Sequence, residues 1–214
     1  MYVSEQTQLF QIKDVVECHR RCFPSSLSTK LGSSYLIKSF EWFLSGENKF
    51  LFHITQDSIV VGYCGGFRSS FVGDGSTSGM MQYAMKEAVV GMLKHPLLFF
   101  SKEVISFYPL IFRNFFKKFL FKKEKNKKLF TTAVGNEKKI GLVVIGVHPD
   151  YRGKGYFELL MHEFENECRK RSAVKSTLSV KSTNGRAIAA YKKAGWEIGA
   201  MNAQEIKMFK VLSL

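Results

Sequence analysis

A turn that joins an apolar run to an amphipathic run constrains the fold of this chain more than any other stretch. Residues 140–147 are almost continuously aliphatic over the length of one strand, a pattern typical of a strand buried on both faces. After the turn, apolar side chains recur at helical spacing between charged ones, at Phe157, Leu160, Met161, Phe164 and Cys168. The sequence therefore predicts a core strand that leads directly into the N-terminus of a helix.

The turn, residues 147–157 (VHPDYRGKGYF), has the features of an anion-binding site. Gly153 and Gly155 allow the backbone to approach a ligand closely, because glycine carries no Cβ. The free amides and the positive dipole end of the following helix favour a phosphate or pyrophosphate. Neither the G-x-G-x-x-G dinucleotide pattern nor the phosphate loop ending in Lys-Ser/Thr is present, so the turn alone does not identify its ligand.

A second motif occupies residues 184–196 and contains Asn184, Ala187, Tyr191, Gly195 and Trp196. With both motifs, the chain resembles the GNAT superfamily of acetyl-CoA-dependent N-acetyltransferases. The turn is similar to that family's pyrophosphate-binding motif, Arg/Gln-x-x-Gly-x-Gly/Ala, in which positions 152 and 155 match. Position 157, usually Gly or Ala in the family, is Phe in this chain.

The resemblance implies an α/β fold with a GNAT-like mixed, mostly antiparallel central sheet flanked by helices. It also implies acetyl-CoA as cosubstrate, with the Val147 amide facing the thioester or pantetheine carbonyl and Tyr191 as the general acid. A phenol, with an ordinary pKa of about 10, is protonated at neutral pH and suits the departing thiolate. Asn184 is expected to cap its helix and is also a candidate cofactor contact. The implied cofactor-binding residues are Val147, Arg152, Gly153, Lys154, Gly155, Tyr156, Phe157 and Asn184.

The acceptor half of the site is less defined by the sequence. In the family, the loop between the first two helices commonly forms one wall of the acceptor site, which makes Ser28, Thr29 and Lys30 candidate substrate contacts. No general base is identified; the candidates are Glu41, His53, Tyr63 and Tyr83.

The identity of the acceptor depends on a looser resemblance. Residues 19–32 and the insertion described below resemble acetyltransferases of bacterial surface-polysaccharide pathways, which implies an amino sugar on a nucleotide or lipid carrier. Another small amine, a protein lysine, or a non-catalytic CoA-binding interaction protein are the alternatives.

We expect one domain over residues 1–214, with a helical insertion at about 69–130. Hydrophobic patterning predicts helices over 11–23 and 32–44, a hairpin of strands 50–55 and 59–67, and a helix within 80–93. A first strand is expected within residues 1–10. The C-terminal part is predicted as a strand, a helix and two strands, over 176–181, 184–195, 196–200 and 204–212.

The insertion is aromatic and strongly basic. The stretch from Met85 to Lys128 contains ten lysines, one arginine and three glutamates, so it contributes +8 of the formal charge of +14. The insertion is interpreted as a helical layer on the core, a lid over the acceptor pocket, a homodimer interface, or an interfacial helix that contacts anionic lipid. Nucleic acid is not expected, because no recognised module accompanies the charge.

Composition limits the remaining function classes. Cys18, His19 and Cys22 share a helical face, but no second Cys or His pair completes a tetrahedral set, so we expect no metal. Residues 1–10 are polar and do not resemble a signal peptide. We therefore expect a cytoplasmic protein, with the inner membrane face as the place of any peripheral lipid contact.

Overall fold

The computed structural model of this chain describes residues 2–68, 76–101, 104–105 and 138–212. The strands are β1 (Tyr2–Gln6), β2 (Lys49–Gln56), β3 (Ile59–Arg68), β4 (Lys139–Val147), β5 (Lys175–Lys181), β6 (Glu197–Met201) and β7 (Glu205–Val211). The α-helices are α1 (Ile12–Cys22), α2 (Leu27–Lys30), α3 (Ser33–Glu41), α4 (Ser76–Tyr83), α5 (Met85–Lys94), α6 (Tyr156–Lys170) and α7 (Gly185–Lys193). Short 3-10 helices cover Leu9–Gln11, Trp42–Leu44, Pro96–Phe100 and Pro149–Tyr151.

The strands form one seven-stranded sheet in the order β1-β2-β3-β4-β5-β7-β6. Every neighbouring pair is antiparallel except β4 and β5, which are parallel. The predicted α/β class, with a mixed and mostly antiparallel sheet flanked by helices, is confirmed. The predicted strand and helix positions outside the insertion are also confirmed, within a few residues at the element ends.

The predicted hairpin between β2 and β3 closes through Asp57 and Ser58. Both residues have positive φ, 51° and 64°, as a two-residue turn requires when its twist matches that of the strands. The hairpin continues the register of β2 against β3 from Gln56↔Ile59 to Lys49↔Phe67.

Helices pack on both faces of the sheet. One face is covered by α6 and α7, whose Leu160, Phe164 and Tyr191 belong to a cluster with β-strand residues such as Ile140. The other face is covered by α1 and α3, through residues such as Val15 and Phe40. Strand β4 thus lies between two hydrophobic layers, with Ile140 and Leu142 in one and Val143 and Val144 in the other.

Strands β4 and β5 pair only from Lys139↔Lys175 to Gly141↔Thr177. Beyond this point they diverge, and the register of β4 against β3 also shifts next to Gly65 and Gly66. The prediction that residues 140–147 are buried on both faces was wrong for the second half of β4. Four of its residues are half-buried because β5 no longer covers that edge, namely Val143, Val144, Ile145 and Val147.

The described part of the insertion is helical and packs beside α2 and α3. The helix predicted within 80–93 is divided at Ala84, where α4 ends and α5 begins. Ala84 and Ala88 pack against Leu31 and Tyr35 in a small separate cluster. The predicted residues 69–75, 102–103 and 106–130 lie outside the described residues. Within the described ranges, no helix is both long enough and apolar enough to cross a membrane.

Candidate active site

The turn between β4 and α6 exposes its backbone. Gly153 and Gly155 adopt positive φ values of 76° and 84°, and Gly155 is the N-cap of α6. Residues with side chains rarely adopt this left-handed conformation, which explains why glycine occupies both positions. A Cβ built on either glycine has no heavy atom within 4 Å, so the space beside the backbone is open. The first amides of α6 have no intrahelical acceptor and lie at its positive dipole end.

Arg152 fixes this turn against helix α1. Its guanidinium donates from Nε to the Val147 carbonyl at 3.1 Å and from NH2 to the Cys22 carbonyl at 3.2 Å. Its backbone amide donates to the Pro149 carbonyl at 3.3 Å. The structure therefore gives Arg152 contacts that hold the end of β4, the turn and the end of α1 together.

The Val147 amide points away from β3. The next amide, of His148, donates to the Val61 carbonyl at 2.8 Å, and successive amides of a strand point to opposite sides. The Val147 amide thus faces the side from which β5 has diverged. A carbonyl of a ligand lying in this opening would meet it, as the sequence-based interpretation requires.

The other residues of the turn that were predicted to bind the cofactor differ in the exposure of their side chains. Lys154 is exposed, and its ammonium lies 5.0 Å from the centre of the Tyr151 ring. The Tyr156 side chain is buried, and its hydroxyl donates to the Gln56 side-chain oxygen, which leaves only its backbone to face a ligand. Phe157 is half-buried, and its ring meets the Tyr191 ring edge to face at 5.7 Å.

Tyr191 lies in an apolar environment on α7. Its ring packs against Phe157 and against Trp196, whose ring centre is 6.0 Å away. Burial raises the pKa of the Tyr191 hydroxyl above its ordinary value, and the nearby Cys64 thiol contributes in the same direction. The hydroxyl has no hydrogen-bond partner within the described part of the chain, so it is a proton donor without a protein acceptor.

Asn184 is a helix cap, as predicted. Its side-chain oxygen accepts from the Ala187 amide at 3.2 Å, at the start of α7. Gly195, with φ of 81°, follows the C-terminus of the same helix. These two residues set the ends of the helix that carries Tyr191.

The predicted acceptor residues lie on the short helix α2 and not in an open loop. Ser26 caps this helix by accepting from the Thr29 amide at 3.2 Å, and the Thr29 hydroxyl donates to the Phe23 carbonyl at 2.8 Å. The Ser28 hydroxyl lies 2.9 Å from that of Ser26. Lys30 is exposed. Helix α2 and its cap therefore present a cluster of hydroxyls that are already ordered by one another.

His19 and Tyr63 connect this cluster to the sheet, a connection that the sequence did not reveal. His19 Nε2 lies 3.2 Å from the Ser28 hydroxyl, and His19 Nδ1 lies 2.6 Å from the Tyr63 hydroxyl. The Tyr63 ring covers Gly146, the residue before Val147: a Cβ at Gly146 would be 2.6 Å from that ring. The network thus extends from helix α2 to the end of β4.

Burial keeps this network uncharged. The pKa of His19 is lowered by burial to about 4, and the pKa of the completely buried Tyr63 is raised, also by burial. At neutral pH both groups are therefore hydrogen-bonding dipoles, and His19 is a poor store for a proton.

The remaining candidate bases are not close to the turn. Glu41 pairs with Lys38 at 2.7 Å and, with Tyr83, lines a cavity of about 610 Å³. Lys49, the first residue of β2, lines this cavity. Because β2, β3 and β4 alternate in direction, the start of β2 lies at the end of the sheet opposite the turn, which follows the end of β4. His53 is buried on β2 opposite Glu5 of β1, with Nδ1 2.9 Å from the Thr7 hydroxyl.

A metal centre has no support among the residues that the structure describes. No group of three or more His, Cys, Asp or Glu side chains there could hold an ion. Cys18 and Cys22 are reduced, and their sulfurs are 4.0 Å apart.

Residues 102–196 match the model of the acetyltransferase (GNAT) family. An acetyltransferase of Yersinia pestis (strain Pestoides F) is 36% identical over 53 residues, which are 25% of this chain and 38% of that protein. An acetyltransferase of Sodalis glossinidius is 37% identical over 54 residues, with the same two shares. The chain thus aligns with little more than a third of the length of these relatives.

Solved structures match over nearly the whole chain. The ribosomal-protein-S18-alanine N-acetyltransferase of Escherichia coli has a TM-score of 0.57 at 14% identity, covering 100% of this chain and 96% of that one. The PaiA N-acetyltransferase of Thermoplasma acidophilum, in complex with coenzyme A, has a TM-score of 0.56 at 11% identity, covering 99% of both chains. The chain therefore has the fold of these GNAT structures. The family model that matches residues 102–196 is that of the family predicted from the two motifs.

Proposed function

We propose that this chain is a GNAT-family acetyltransferase, which transfers an acetyl group from acetyl-CoA to a primary amine. The observation that carries the proposal is the open turn with Gly153 and Gly155 in left-handed conformation, at the N-terminus of α6 and next to the divergence of β4 and β5. The turn offers amides to an anion, and the divergence leaves the β4 edge uncovered for an extended ligand. The similar protein of Thermoplasma acidophilum, solved with coenzyme A, supports this choice of ligand.

The residues present fit coenzyme A. Backbone amides from Gly153 to Phe157 would hold the pyrophosphate, with Lys154 beside it, and the Val147 amide would hold a carbonyl of the pantetheine arm or thioester. Arg152 supports the turn through its contacts with Val147 and Cys22. Bound acetyl-CoA supplies an activated acyl group, so the protein needs to orient the amine, stabilise an oxyanion and donate one proton.

Tyr191 is the proton donor in this proposal. Its raised pKa opposes transfer to a thiolate in water, whose ordinary pKa is lower. A thiolate formed beside Phe157 and Trp196 would be equally deprived of water, and the same apolar surroundings raise its pKa. The phenol and thiolate would therefore be more closely matched in the site than in solution.

The acceptor in this proposal is a hydroxyl-rich amine, specifically an amino sugar on a nucleotide or lipid carrier. The hydroxyls of Ser26, Ser28 and Thr29 are ordered by one another, and the uncharged His19 contacts Ser28. This cluster favours a polyhydroxylated partner over a simple alkyl amine. The site offers no acidic side chain among these residues to attract a polyamine. Other small amines, protein lysines, and CoA binding without turnover are tested as alternatives.

The test is release of free thiol from acetyl-CoA against amino-sugar nucleotides, polyamines, aminoglycosides and lysine peptides. Turnover is expected with an amino sugar, and coenzyme A binding is measured separately by calorimetry. Turnover with only polyamines or peptides would refute the acceptor class but not the reaction. Coenzyme A binding without thiol release on any acceptor would favour the non-catalytic alternative, and absence of binding would contradict the whole proposal.

A further inference from the structure

We propose that the outer face of α5 and the following 3-10 helix docks on an anionic lipid bilayer. This outer α5 face consists of exposed apolar residues, namely Met85, Val89, Val90, Leu93, Leu97 and Phe100. Leu97 is 83% exposed, Phe100 79% and Leu93 69%, which are high values for large apolar side chains on neighbouring turns. Such a contiguous apolar surface marks an interaction site.

The helix geometry aligns these side chains. Met85, Val89 and Leu93 are four residues apart on α5 and so form one stripe along it. Leu97 and Phe100 are three residues apart in the 3-10 helix Pro96–Phe100, where that spacing places side chains on one face. The opposite side of α5 already packs inward, because Ala88 and Gly91 are buried, as is Ala84 just before the helix.

The charges beside the stripe favour an anionic surface as the occupant. Lys86 and Lys94 are both exposed and lie next to the apolar stripe, whereas Glu87, the single acid of α5, is half-buried. Lysine stems can extend along the apolar surface while their ammonium groups reach the headgroups. A second copy of this chain is a poorer occupant, because face-to-face pairing would bring the same lysines together and both copies carry a formal charge of +14.

Helix α5 contacts the proposed acceptor residues of α2 through the side opposite its outer face. Gly91 touches the Leu31 carbonyl so closely that a Cβ there would overlap it, and Leu27 packs on the same cluster as Ala88. Docking of the outer face would therefore hold residues 26–31 behind α5, about one helix diameter (~10 Å) from the bilayer surface. This step rests on the proposed function, and it narrows the acceptor to an amino sugar on a lipid carrier; the lipid binding itself does not depend on it.

The test is co-sedimentation of the full chain with vesicles, without acetyl-CoA. Vesicles of phosphatidylcholine alone are compared with vesicles that also contain phosphatidylglycerol, at low and high salt. Binding is expected only to the anionic vesicles, stronger at low salt. The double variant Leu93→Gln/Leu97→Gln is expected to bind the anionic vesicles at least about tenfold more weakly, because two large apolar side chains no longer enter the interface.

Control variants distinguish the contribution of the outer α5 face from a general effect of substitution on the protein. Met201→Gln removes an apolar side chain that is 70% exposed on β6, and binding is expected to be unchanged. Lys86→Gln/Lys94→Gln should weaken binding mainly at low salt. Circular dichroism and the Tm of each variant establish that it is folded.

The proposal would be overturned if the wild-type chain did not sediment with anionic vesicles, or if the wild type and the Leu93→Gln/Leu97→Gln variant sedimented equally. It would also be overturned if the wild type were a dimer, the double variant were a monomer, and both bound lipid equally. Turnover of a soluble amino-sugar acceptor by the double variant shows that the catalytic proposal stands independently of the lipid result.

Discussion

The Nδ1 atom of His19 lies 2.6 Å from the hydroxyl oxygen of Tyr63, which joins helix α1 to the centre of strand β3. The other imidazole nitrogen lies 3.2 Å from the Ser28 hydroxyl. A neutral imidazole has one donor and one acceptor nitrogen. If His19 accepts from Tyr63 it must donate to Ser28, and if it donates to Tyr63 it must accept from Ser28. His19 therefore links helix α2 to the strand next to β4.

Replacement of Tyr63 by Phe tests this link. The ring remains over Gly146, but a buried His19 nitrogen loses its partner, and we expect the free energy of unfolding to fall by about 1–3 kcal/mol in urea titrations. If the amine lies against the loop, KM for the acceptor rises while KM for acetyl-CoA is unchanged. Tyr35→Phe, at another buried tyrosine, is the control for loss of a hydroxyl. A rise in both KM values would instead indicate a general structural effect.

Stability should decrease between neutral and mildly acidic pH because of His19. Burial lowers its folded-state pKa to about 4, below the value of about 6.5 in the unfolded chain. Protonation then favours unfolding: the His19 contribution is complete above pH about 6.5, falls as the pH decreases, and is lost near pH 4. The difference corresponds to about 3 kcal/mol, and buried His53 acts in the same direction.

Urea unfolding at pH 7 and pH 5 measures this effect. His19→Gln should reduce the loss of stability between the two pH values, whereas His162→Gln, at an exposed position, should leave it unchanged. An identical pH dependence in the wild type and in His19→Gln would contradict the assignment to His19.

The features predicted correctly from the sequence are those that local chemistry determines. The cap at Asn184 and the glycine turn before α6 need only neighbouring residues, and both are present. The His19–Tyr63 contact joins residues far apart in the chain, so no local pattern indicates it. The divergence of β4 from β5 was likewise not predicted, because an aliphatic run looks the same whether or not a neighbouring strand continues beside it.

Tyr191→Phe tests the proposed general acid. Loss of the hydroxyl should lower kcat by about 10²-fold or more, since general acid catalysis contributes on this scale. The ring contacts with Phe157 and Trp196 remain, so coenzyme A affinity and the Tm should be nearly unchanged. Thiol-release kinetics and calorimetry measure the two quantities. A kcat close to that of the wild type would exclude Tyr191 as the acid and leave it as a core aromatic residue.

A comparison of Gly155→Ala with Gly185→Ala distinguishes the effect of backbone conformation from the steric effect of an added Cβ in the proposed cofactor site. Neither glycine has a heavy atom within 4 Å of a built Cβ, but Gly155 has φ of 84° and Gly185 does not have a positive φ. An alanine at 155 is therefore strained by about 1–2 kcal/mol or forces the turn to change, and the amides at the start of α6 lose their arrangement. We expect weaker coenzyme A binding and a lower Tm for Gly155→Ala.

Gly185→Ala is expected to keep coenzyme A affinity and to maintain or slightly raise the Tm, because alanine restricts the unfolded chain and suits the first turn of α7. Calorimetric titration with coenzyme A and thermal unfolding compare the two variants directly. Equal affinity in both would mean that the left-handed turn does not hold the ligand. A loss of affinity in Gly155→Ala alone, larger than its loss of stability can explain, would assign pyrophosphate binding to the backbone of this turn.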